Sequence, residues 1–340
     1  MKAAVYHGPQ NIKVEEVKRR EIKEDEVVIQ VKYCGVCGTD IHIYNGDGGS
    51  YEVNPPRIPG HEFSGVVTEV GAAVKNVRPG DRVSGDPNIM CGECYFCKNA
   101  MEHFCENAVG IGTAMDGAFA EYIVMSAKNV YKVPDNLDFM TAAMTEPVSC
   151  CLHGIDLCRI QPGDTVLVIG GGPIGMIMIQ LAKMAGAAQV ILSEPVKEKR
   201  ELALKLGASA AVDPIEEDVE QYLKAHTHNV DCVIECVGNT HTEMDAIHFA
   251  GNKATVMFFG LAGPNDTITV RPDEIFKKEL NITSSFINPY VYHRALKILD
   301  SGELDVKSII TNIVPLDDIE KVFEDPEYRR SGKVMIKVGD

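Results

Sequence analysis

Short apolar runs bounded by turn-forming residues occupy roughly the first 150 positions of the chain. Residues 26–35 (EVVIQVKYCG), 63–71 (FSGVVTEVG) and 120–126 (AEYIVMS) are rich in β-branched and aromatic side chains. Segments with proline, glycine and aspartate lie between such runs, as in residues 77–83 (VRPGDRV). Runs of this composition with these boundaries predict β-strands. We therefore expect a β-rich domain at the start of the chain.

The pattern changes near Asp164, where predicted strands and helices begin to alternate. Residues 165–172 (TVLVIGGG) predict a buried strand that ends in glycines, and residues 173–187 (PIGMIMIQLAKMAGA) have helical periodicity. Another strand is predicted at 189–194 (QVILSE), and the alternation continues. This order of elements indicates βαβ units and a parallel sheet. After Ile282 the pattern predicts helices and one last strand, which can rejoin the first domain.

Composition and charge limit the classes of function. The chain of 340 residues carries 33 lysines and arginines against 49 aspartates and glutamates, a net charge of −16. Such a field repels nucleic acid and anionic membranes, and no stretch approaches the ~18 apolar residues of a membrane span. The first residues, MKAAVYHGPQ, lack the features of a signal or transit peptide. We therefore expect a cytoplasmic protein with reduced thiols, a small-molecule substrate, and no nucleic-acid or membrane partner.

Four of the eleven cysteines lie close together in the sequence: Cys91, Cys94, Cys97 and Cys105. Four thiolates at this spacing predict a tetrahedral zinc site. An iron–sulfur run usually places its fourth cysteine after three intervening residues and before a proline, whereas here the gap is longer and Glu106 follows. Disulfides are disfavoured because the chain shows no leader. Since protein ligands fill all four positions, we expect a structural zinc without chemistry of its own.

Residues 170–175 (GGGPIG) match the dinucleotide fingerprint G-x-G-x-x-G between a predicted strand and helix. Gly170 permits the tight turn, Gly172 lets the backbone approach the pyrophosphate, and Gly175 allows close packing of helix on strand. Glu194 follows the next predicted strand, where a carboxylate binds both ribose hydroxyls of NAD and repels the extra phosphate of NADP. We therefore predict NAD as the cofactor, although basic side chains follow Glu194 closely.

A second candidate metal site comes from residues 37–42 (CGTDIH) and 60–62 (GHE). Cys37 and His61 offer a thiolate and an imidazole, and a catalytic zinc needs about three protein ligands and one open position. A single histidine is more often an ordinary surface or core residue. Beside a four-cysteine site and a dinucleotide motif, these residues instead predict a catalytic zinc.

Together these motifs resemble those of the zinc-dependent medium-chain alcohol dehydrogenases, in the polyol (sorbitol or L-iditol) and threonine dehydrogenase branch. The matching motifs follow the family's order and span most of the chain: CGTDIH at 37–42, GHE at 60–62, the cysteines at 91–105, Glu146-Pro147, and the glycines at 170–175. The resemblance implies an α/β protein with two domains. They are a GroES-like, β-rich catalytic domain at 1–153 and 286–340, and a Rossmann domain with a doubly wound parallel sheet at 154–285. It also implies a homo-oligomer, either a tetramer or a dimer.

The resemblance also implies roles for individual residues. The catalytic zinc is expected among Cys37, His61, Glu62 and Glu146, with Glu146 often acting through water in the polyol branch. The proton of the alcohol is expected to pass from Thr39 through cofactor hydroxyls to His42, whose imidazole suits a relay near neutral pH. Cofactor contacts are expected at the whole fingerprint, Pro173 and Ile174 included, and at Glu194, Lys199, Val237, Phe259, Gly260, Leu261, Ser285 and Phe286.

The substrate is less closely defined. Polyol dehydrogenases of this type often carry an Arg-Tyr pair where this chain has Ile287-Asn288, and HIYN at 42–45 is similar to threonine dehydrogenases. We expect oxidation of a secondary alcohol in a polyol or sugar-derived substrate, with L-threonine and 2,3-butanediol as alternatives. Three side chains are candidates to bond to the substrate: Tyr44, Asn288 and Tyr290.

Two other classes of protein stay open. One is a structural or regulatory nucleotide-binding protein that has lost the catalytic zinc, and the other is a zinc-free quinone or enoyl reductase. Intact CGTDIH and GHE motifs argue against the first class. The four-cysteine run argues against the second, whose members usually lack it.

Overall fold

The structure, a computed structural model, describes residues 1–47 and 52–339. The chain divides into two compact units. The first consists of Met1–Ser149 together with the chain from Asn288 onward, and the second consists of Cys150–Ile287. The division falls within one helix, α4 (Thr145–Cys158).

The strands in the described residues are β1 (Lys2–Gly8), β2 (Asn11–Glu16), β3 (Glu26–Gly35), β4 (Glu62–Val70), β5 (Arg82–Gly85), β6 (Asn88–Ile89), β7 (Val109–Gly110), β8 (Tyr122–Ser126), β9 (Val130–Lys132), β10 (Thr165–Ile169), β11 (Gln189–Ser193), β12 (Ala210–Val212), β13 (Cys232–Glu235), β14 (Thr255–Phe258), β15 (Asn281–Ser284), β16 (Ile310–Pro315) and β17 (Lys333–Lys337). The α-helices are α1 (Gly38–Asn45), α2 (Tyr95–Lys98), α3 (Phe139–Ala143), α4, α5 (Pro173–Met184), α6 (Lys197–Lys205), α7 (Val219–His226), α8 (Thr240–Phe249), α9 (Pro272–Lys278), α10 (Tyr292–Ser301), α11 (Ile319–Glu324) and α12 (Glu327–Arg330). Short 3-10 turns lie at Glu102–Phe104, Ala127–Asn129, Lys307–Ile309 and Leu316–Asp318.

The first unit is built on a seven-stranded sheet in the order β16-β17-β3-β4-β5-β9, with β8 also paired to β3. Strand β3 is central, because β4 lies along one side of it while β17 and β8 share the other. Val27, Ile29 and Val31 of β3 enter an apolar core that also contains Phe63 and Phe119. The last strand of the chain thus joins the sheet of the first unit, as the sequence predicts.

The second unit contains a six-stranded sheet in the order β12-β11-β10-β13-β14-β15, and every neighbouring pair is parallel. Counted from β10, this is the order 3-2-1-4-5-6 of dinucleotide-binding sheets. All five residues of β10 are buried, which explains their continuous apolar sequence. The strand order reverses between β10 and β13, and ligands of such sheets bind beyond the carboxyl ends of the strands at this point.

The predicted fold class is confirmed, and the runs named above form β3, β4, β8 and β10. The sequence pattern did not predict β16, which pairs parallel with β17. This strand is at the edge of its sheet and exposes several side chains, so its sequence has little apolar pattern. None of the described helices combines the length and the apolar composition that a bilayer span requires.

Candidate metal and cofactor sites

The four predicted cysteines converge in the loop at residues 91–105, which we call the cysteine lobe. The Sγ atom of Cys91 is 3.5 Å from that of Cys105 and 3.9 Å from that of Cys97. All four sulfurs lie within 4.8 Å of one another. Sulfurs bound ~2.3 Å from a tetrahedral zinc are about 3.8 Å apart, so the donor set fits that ion. Strands β6 and β7 pair with each other on either side of the loop and form its stem.

Backbone amides point at the sulfurs of the cysteine lobe. The N–H groups of Glu93 and Cys94 each donate to the Sγ atom of Cys91 at 3.4 Å, and the N–H of Cys91 donates to Cys105 at 3.4 Å. The amide hydrogen bonds lower the pKa of Cys91 to about 6. The thiolate, which is the form that binds metal, is therefore favoured at neutral pH.

A second cluster consists of Cys37, His61 and Glu62, whose ligand atoms lie within 4.8 Å of one another. Cys37 is the N-cap of α1, Glu62 is the first residue of β4, and His61 immediately precedes it. Thiolate, imidazole and carboxylate are all zinc donors. Three protein ligands leave a coordination position open, so this arrangement can hold a metal that still accepts a substrate.

The fully buried Asp40 fixes the geometry of this cluster. One carboxylate oxygen accepts the N–H of Cys37 at 2.8 Å, and the other accepts the N–H of Gly60 at 3.2 Å. The latter oxygen is 3.7 Å from Nδ1 of His61, which leaves Nε2 for a metal. Burial alone would lower the pKa of His61, but the charge of Asp40, the bond and charge of Cys37, and the charge of Glu146 raise it well above its ordinary value.

The sequence analysis missed Lys333, the first residue of β17, which forms a buried ion pair with Glu62. Strands β4 and β17 flank β3, and Gly35 of β3 lies at the level of the pair. A Cβ atom at Gly35 would collide with Oε2 of Glu62 and lie 2.9 Å from Cε of Lys333. Burial alone would lower the pKa of Lys333, but the charges of Glu62, Cys37 and Glu146 outweigh it and raise that pKa. The feature of the sequence that could have indicated this ion pair is a lysine directly before the apolar residues 334–336 of β17.

The other predicted catalytic residues lie around this cluster. Oγ1 of Thr39 is 3.8 Å from the Sγ atom of Cys37, and His42 follows one turn later on α1 with its side chain 45% exposed. Glu146 is buried in the first turn of α4, and its charge contributes to the raised pKa of His61. Among the described residues, the grouped ligand atoms do not include those of Glu146. Its role as a ligand stays a prediction.

The glycine fingerprint forms the turn from β10 to α5. Gly170 has a φ of +97°, a left-handed conformation that favours glycine. A Cβ atom at Gly175 would collide with the carbonyl oxygen of Gly170, so helix and strand approach closely there. Apart from Gly172 and its two chain neighbours, no heavy atom of residues 1–47 and 52–339 lies within 4 Å of the Cβ position at Gly172, the N-cap of α5. Open space before a helix N-terminus is what a pyrophosphate needs, and Pro173 and Ile174 line the same first turn.

Glu194 follows β11 and is buried beside the fingerprint. Its Oε2 accepts the N–H of Gly171 at 2.6 Å, and its Oε1 accepts the N–H of Val196 at 2.9 Å. Lys199 lies in the first turn of α6, half-buried. Nη1 of Arg200 donates to the backbone carbonyl oxygen of Glu194 at 2.8 Å. The guanidinium of Arg200 therefore binds the backbone of Glu194. The carboxylate is thus fixed where a ribose would bind.

The remaining predicted cofactor contacts follow the carboxyl ends of β13, β14 and β15. They are Val237, Phe259, Gly260, Leu261, Ser285 and Phe286. Val237 and Leu261 are 49% and 65% exposed, which is high for large apolar side chains. The Oγ atom of Ser285 is buried and has no hydrogen-bond partner within residues 1–47 and 52–339. Exposed apolar groups and an unpaired hydroxyl at this edge suit the rings and polar groups of a dinucleotide.

Comparisons with known proteins identify the family of the chain. Two family models match, the alcohol dehydrogenase GroES-like domain at residues 23–135 and the zinc-binding dehydrogenase at residues 173–301. D-arabinitol dehydrogenase 1 of Uromyces fabae is 32% identical, over 99% of this chain and 97% of its own. An L-threonine 3-dehydrogenase of Caldanaerobacter subterraneus is 35% identical, over 93% and 92%. A zinc-binding dehydrogenase of Sinorhizobium meliloti, bound to NADP, has a TM-score of 0.95 and 38% identity over 99% of both chains.

The chain belongs to the zinc-dependent medium-chain alcohol dehydrogenases. The resemblance seen in the sequence is therefore confirmed, and this dehydrogenase is an oxidoreductase that acts on CH–OH groups with zinc and a nicotinamide dinucleotide. The described side chains fit both groups. Four convergent sulfurs suit one zinc, a three-donor cluster suits another, and the open position at Gly172 suits the dinucleotide.

In protein stripped of the catalytic zinc, replacing Lys333 with methionine should lower stability, because the carboxylate of Glu62 would then stay buried without a cation. Breaking a buried ion pair on one side costs about 3–5 kcal/mol, so the free energy of unfolding in urea should fall by about that amount. The matched control is the double variant Glu62→Gln with Lys333→Met, which removes both charges and should recover more than half of the loss. Equal stability of the Lys333→Met variant and the unchanged protein would contradict a buried charge pair.

Proposed function

We propose that this dehydrogenase oxidises a secondary alcohol of a polyol or sugar-derived substrate to the ketone, with NAD as hydride acceptor. The observation that carries the proposal is the cluster of Cys37, His61 and Glu62, since three such donors within 4.8 Å hold a zinc and leave one position for an alcohol. A zinc at this cluster supplies Lewis acidity toward the alcohol oxygen. The cysteine lobe is proposed to hold the second, structural zinc, and Glu146 to complete the catalytic set.

The chain's own residues then move the proton. We assign Thr39 as the first group of the relay: its hydroxyl would accept the proton of the alcohol as it releases its own proton toward His42, since it lies 3.8 Å from the Sγ atom of Cys37 at the start of α1. His42, on the same helix and 45% exposed, passes the proton to solvent. An imidazole suits this step because its two ring nitrogens can accept and donate a proton.

Similarity to D-arabinitol dehydrogenase 1 supports a polyol substrate. The arginine that often binds a sugar hydroxyl in polyol dehydrogenases is replaced by Ile287 in this chain. Of the three polar candidates, Asn288 is 2% exposed and its amide already bonds to other side chains. Tyr44 packs on Phe323 with ring centres 5.3 Å apart. This leaves Tyr290, 59% exposed, as the candidate substrate contact. L-threonine is the second candidate, supported by the 35% identical threonine dehydrogenase, with 2,3-butanediol behind it.

A screen of NAD reduction tests the proposal. The panel contains D-arabinitol, sorbitol, L-iditol, 2,3-butanediol, L-threonine and sugar phosphates, and zinc is counted in the same preparation. We expect two zincs per chain and the highest kcat/KM for a polyol. If kcat/KM is highest for L-threonine, the polyol proposal is wrong and L-threonine is the substrate. One zinc per chain and no reduction of NAD with any compound would favour a structural or regulatory role.

Replacing Glu194 with alanine should shift the cofactor preference toward NADP, because the carboxylate that repels the 2′-phosphate is lost. We expect the ratio of kcat/KM for NADP over NAD to rise at least about tenfold, a change of ~1.4 kcal/mol in relative transition-state binding. Steady-state kinetics with both cofactors measure the ratio. The control is Glu198→Ala, an exposed acid four residues later on α6, which should leave the ratio unchanged. A native preference for NADP would overturn the assignment.

We further propose the domain division 1–153 with 286–340 for catalysis and 154–285 for NAD. The compact units and the ranges of the two family models support this division. A cytoplasmic location is proposed because the cysteine lobe needs reduced thiols. A homotetramer or homodimer is proposed from the family resemblance, and sedimentation velocity tests it.

A further inference from the structure

A line of buried amide and hydroxyl groups in the first unit includes Asn288. Nδ2 of Asn88 donates to Oδ1 of Asn288 at 2.8 Å. Nδ2 of Asn288 donates to Oγ of Ser149 at 2.8 Å, and that hydroxyl donates to the carbonyl oxygen of Glu146 at 2.6 Å. Asn88, Asn288 and Ser149 are 9%, 2% and 0% exposed. Water therefore has little access to these bonds.

The two ends of this hydrogen-bonded line lie near the two candidate metal sites. Asn88 begins β6, the strand that leads into the cysteine lobe, and its N–H and Nδ2 groups both donate to Oδ1 of Asp86 at 3.0 and 3.3 Å. Ser149 lies in α4, one turn after Glu146. The stem of the lobe is thus connected by three side chains to the helical turn that carries a proposed ligand of the catalytic zinc.

Only an amide can make both bonds of residue 288. Asn288 accepts from Asn88 with its oxygen and donates to Ser149 with its nitrogen. The Ser149 proton is already used on the carbonyl oxygen of Glu146, so its oxygen can only accept from residue 288. An aspartate at 288 has nearly the same shape but lacks the donor. The aspartate also brings a negative charge into a buried site near Asp86, so Ser149→Ala is the variant that cuts the line without adding a charge.

We propose that Asn288 is a positioning residue for the catalytic metal site, which holds the Glu146 turn of α4 in place against the stem of the cysteine lobe. The inference rests on the proposed role of Glu146. Groups that orient a metal ligand typically change metal affinity or activity 10–100-fold when removed. The catalytic zinc should therefore be retained less well without Asn288, while the four-cysteine zinc stays bound.

The test is zinc release from the holoenzyme into a chelator, followed by metal counting, with the absorption spectrum of the cobalt-substituted catalytic site as a second readout. In Ser149→Ala, which cuts the line without adding a charge, we expect the catalytic zinc to leave at least about tenfold faster and the cobalt bands to shift, with the cysteine-lobe zinc and the melting temperature nearly unchanged. Asn288→Asp should release the catalytic zinc at least as fast, but with a lower melting temperature, because the new carboxylate is buried. The matched control is Asn281→Asp, the same change at an exposed position of β15, which should release zinc at the native rate.

The variant Glu146→Gln distinguishes an error in the role of Glu146 from an error in the role of Asn288. If it keeps native zinc release, the assigned role of Glu146 is wrong. If Glu146→Gln releases zinc faster but Asn288→Asp and Ser149→Ala do not, the positioning role is wrong while the catalytic site stands. Simultaneous loss of both zincs in Ser149→Ala, together with a large fall in melting temperature, would show a general structural role and overturn the inference.

Discussion

The variant Cys37→Ser should lose turnover and one of two zincs per chain while it still binds NAD. Cys37 supplies the thiolate of the three-donor cluster, and a serine hydroxyl is a far weaker zinc ligand at neutral pH. The alcohol then loses the Lewis acid that lowers its pKa, so kcat/KM should fall at least about 10³-fold, equivalent to ~4 kcal/mol. Metal counting, steady-state kinetics and quenching of NADH fluorescence measure the three quantities.

The matched control removes a thiol outside both clusters. Cys150 is half-buried in the second unit, and Cys150→Ser should keep two zincs and turnover of the same order as the native protein. Full activity of Cys37→Ser, or loss of NAD binding together with the zinc, would contradict the assignment of Cys37. The fingerprint glycines lie in the other compact unit, so cofactor binding is expected to survive.

The variant Cys94→Ser should lose the other zinc and a large part of the protein's thermal stability. The cysteine lobe has few buried apolar side chains, and Tyr95 and Phe104 are 66% and 50% exposed. Zinc binding at such a site is folding free energy, because the unfolded loop offers no preformed site. A loss of roughly 3–5 kcal/mol corresponds to a fall in melting temperature on the order of 10 °C for a protein of this size.

Calorimetry and metal counting of Cys94→Ser measure this effect, with Lys98→Ser as the control. Lys98 is exposed on α2 within the same lobe, so its replacement tests the loop without touching a ligand. Lys98→Ser should keep two zincs and the native melting temperature. An unchanged melting temperature in Cys94→Ser would show that the lobe metal does not stabilise the fold.

Much of the architecture could be predicted because the informative patterns are local. The cysteine lobe and the glycine fingerprint each occupy a short stretch, and the spacing of residue types within it limits the chemistry. The alternation after Asp164 predicted the parallel sheet for the same reason. Glu194 lies beside the fingerprint because it follows β11, the neighbour of β10, and its contact with a ribose stays a prediction.

What sequence patterns did not predict depends on contacts between distant segments. The pair of Glu62 and Lys333 exists only because β4 and β17 flank β3, and because Gly35 leaves room. Asn288 looked like a substrate contact, yet it is buried against Asn88. The identity of a residue and of its neighbours in sequence does not show whether its side chain is buried or which distant residue it contacts.

The position of β17 has a consequence for the order in which the protein is made. The residues of the second unit are contiguous, so they can fold while the chain is still being synthesised. The central sheet of the first unit lacks β17 until residues 333–337 are translated, and Lys333 arrives with that strand. Until then Glu62 is without its lysine partner. A ribosome that stops before residue 333 therefore leaves a contiguous second unit that can fold, and a first unit in which one carboxylate of the metal cluster lacks the cation that pairs with it.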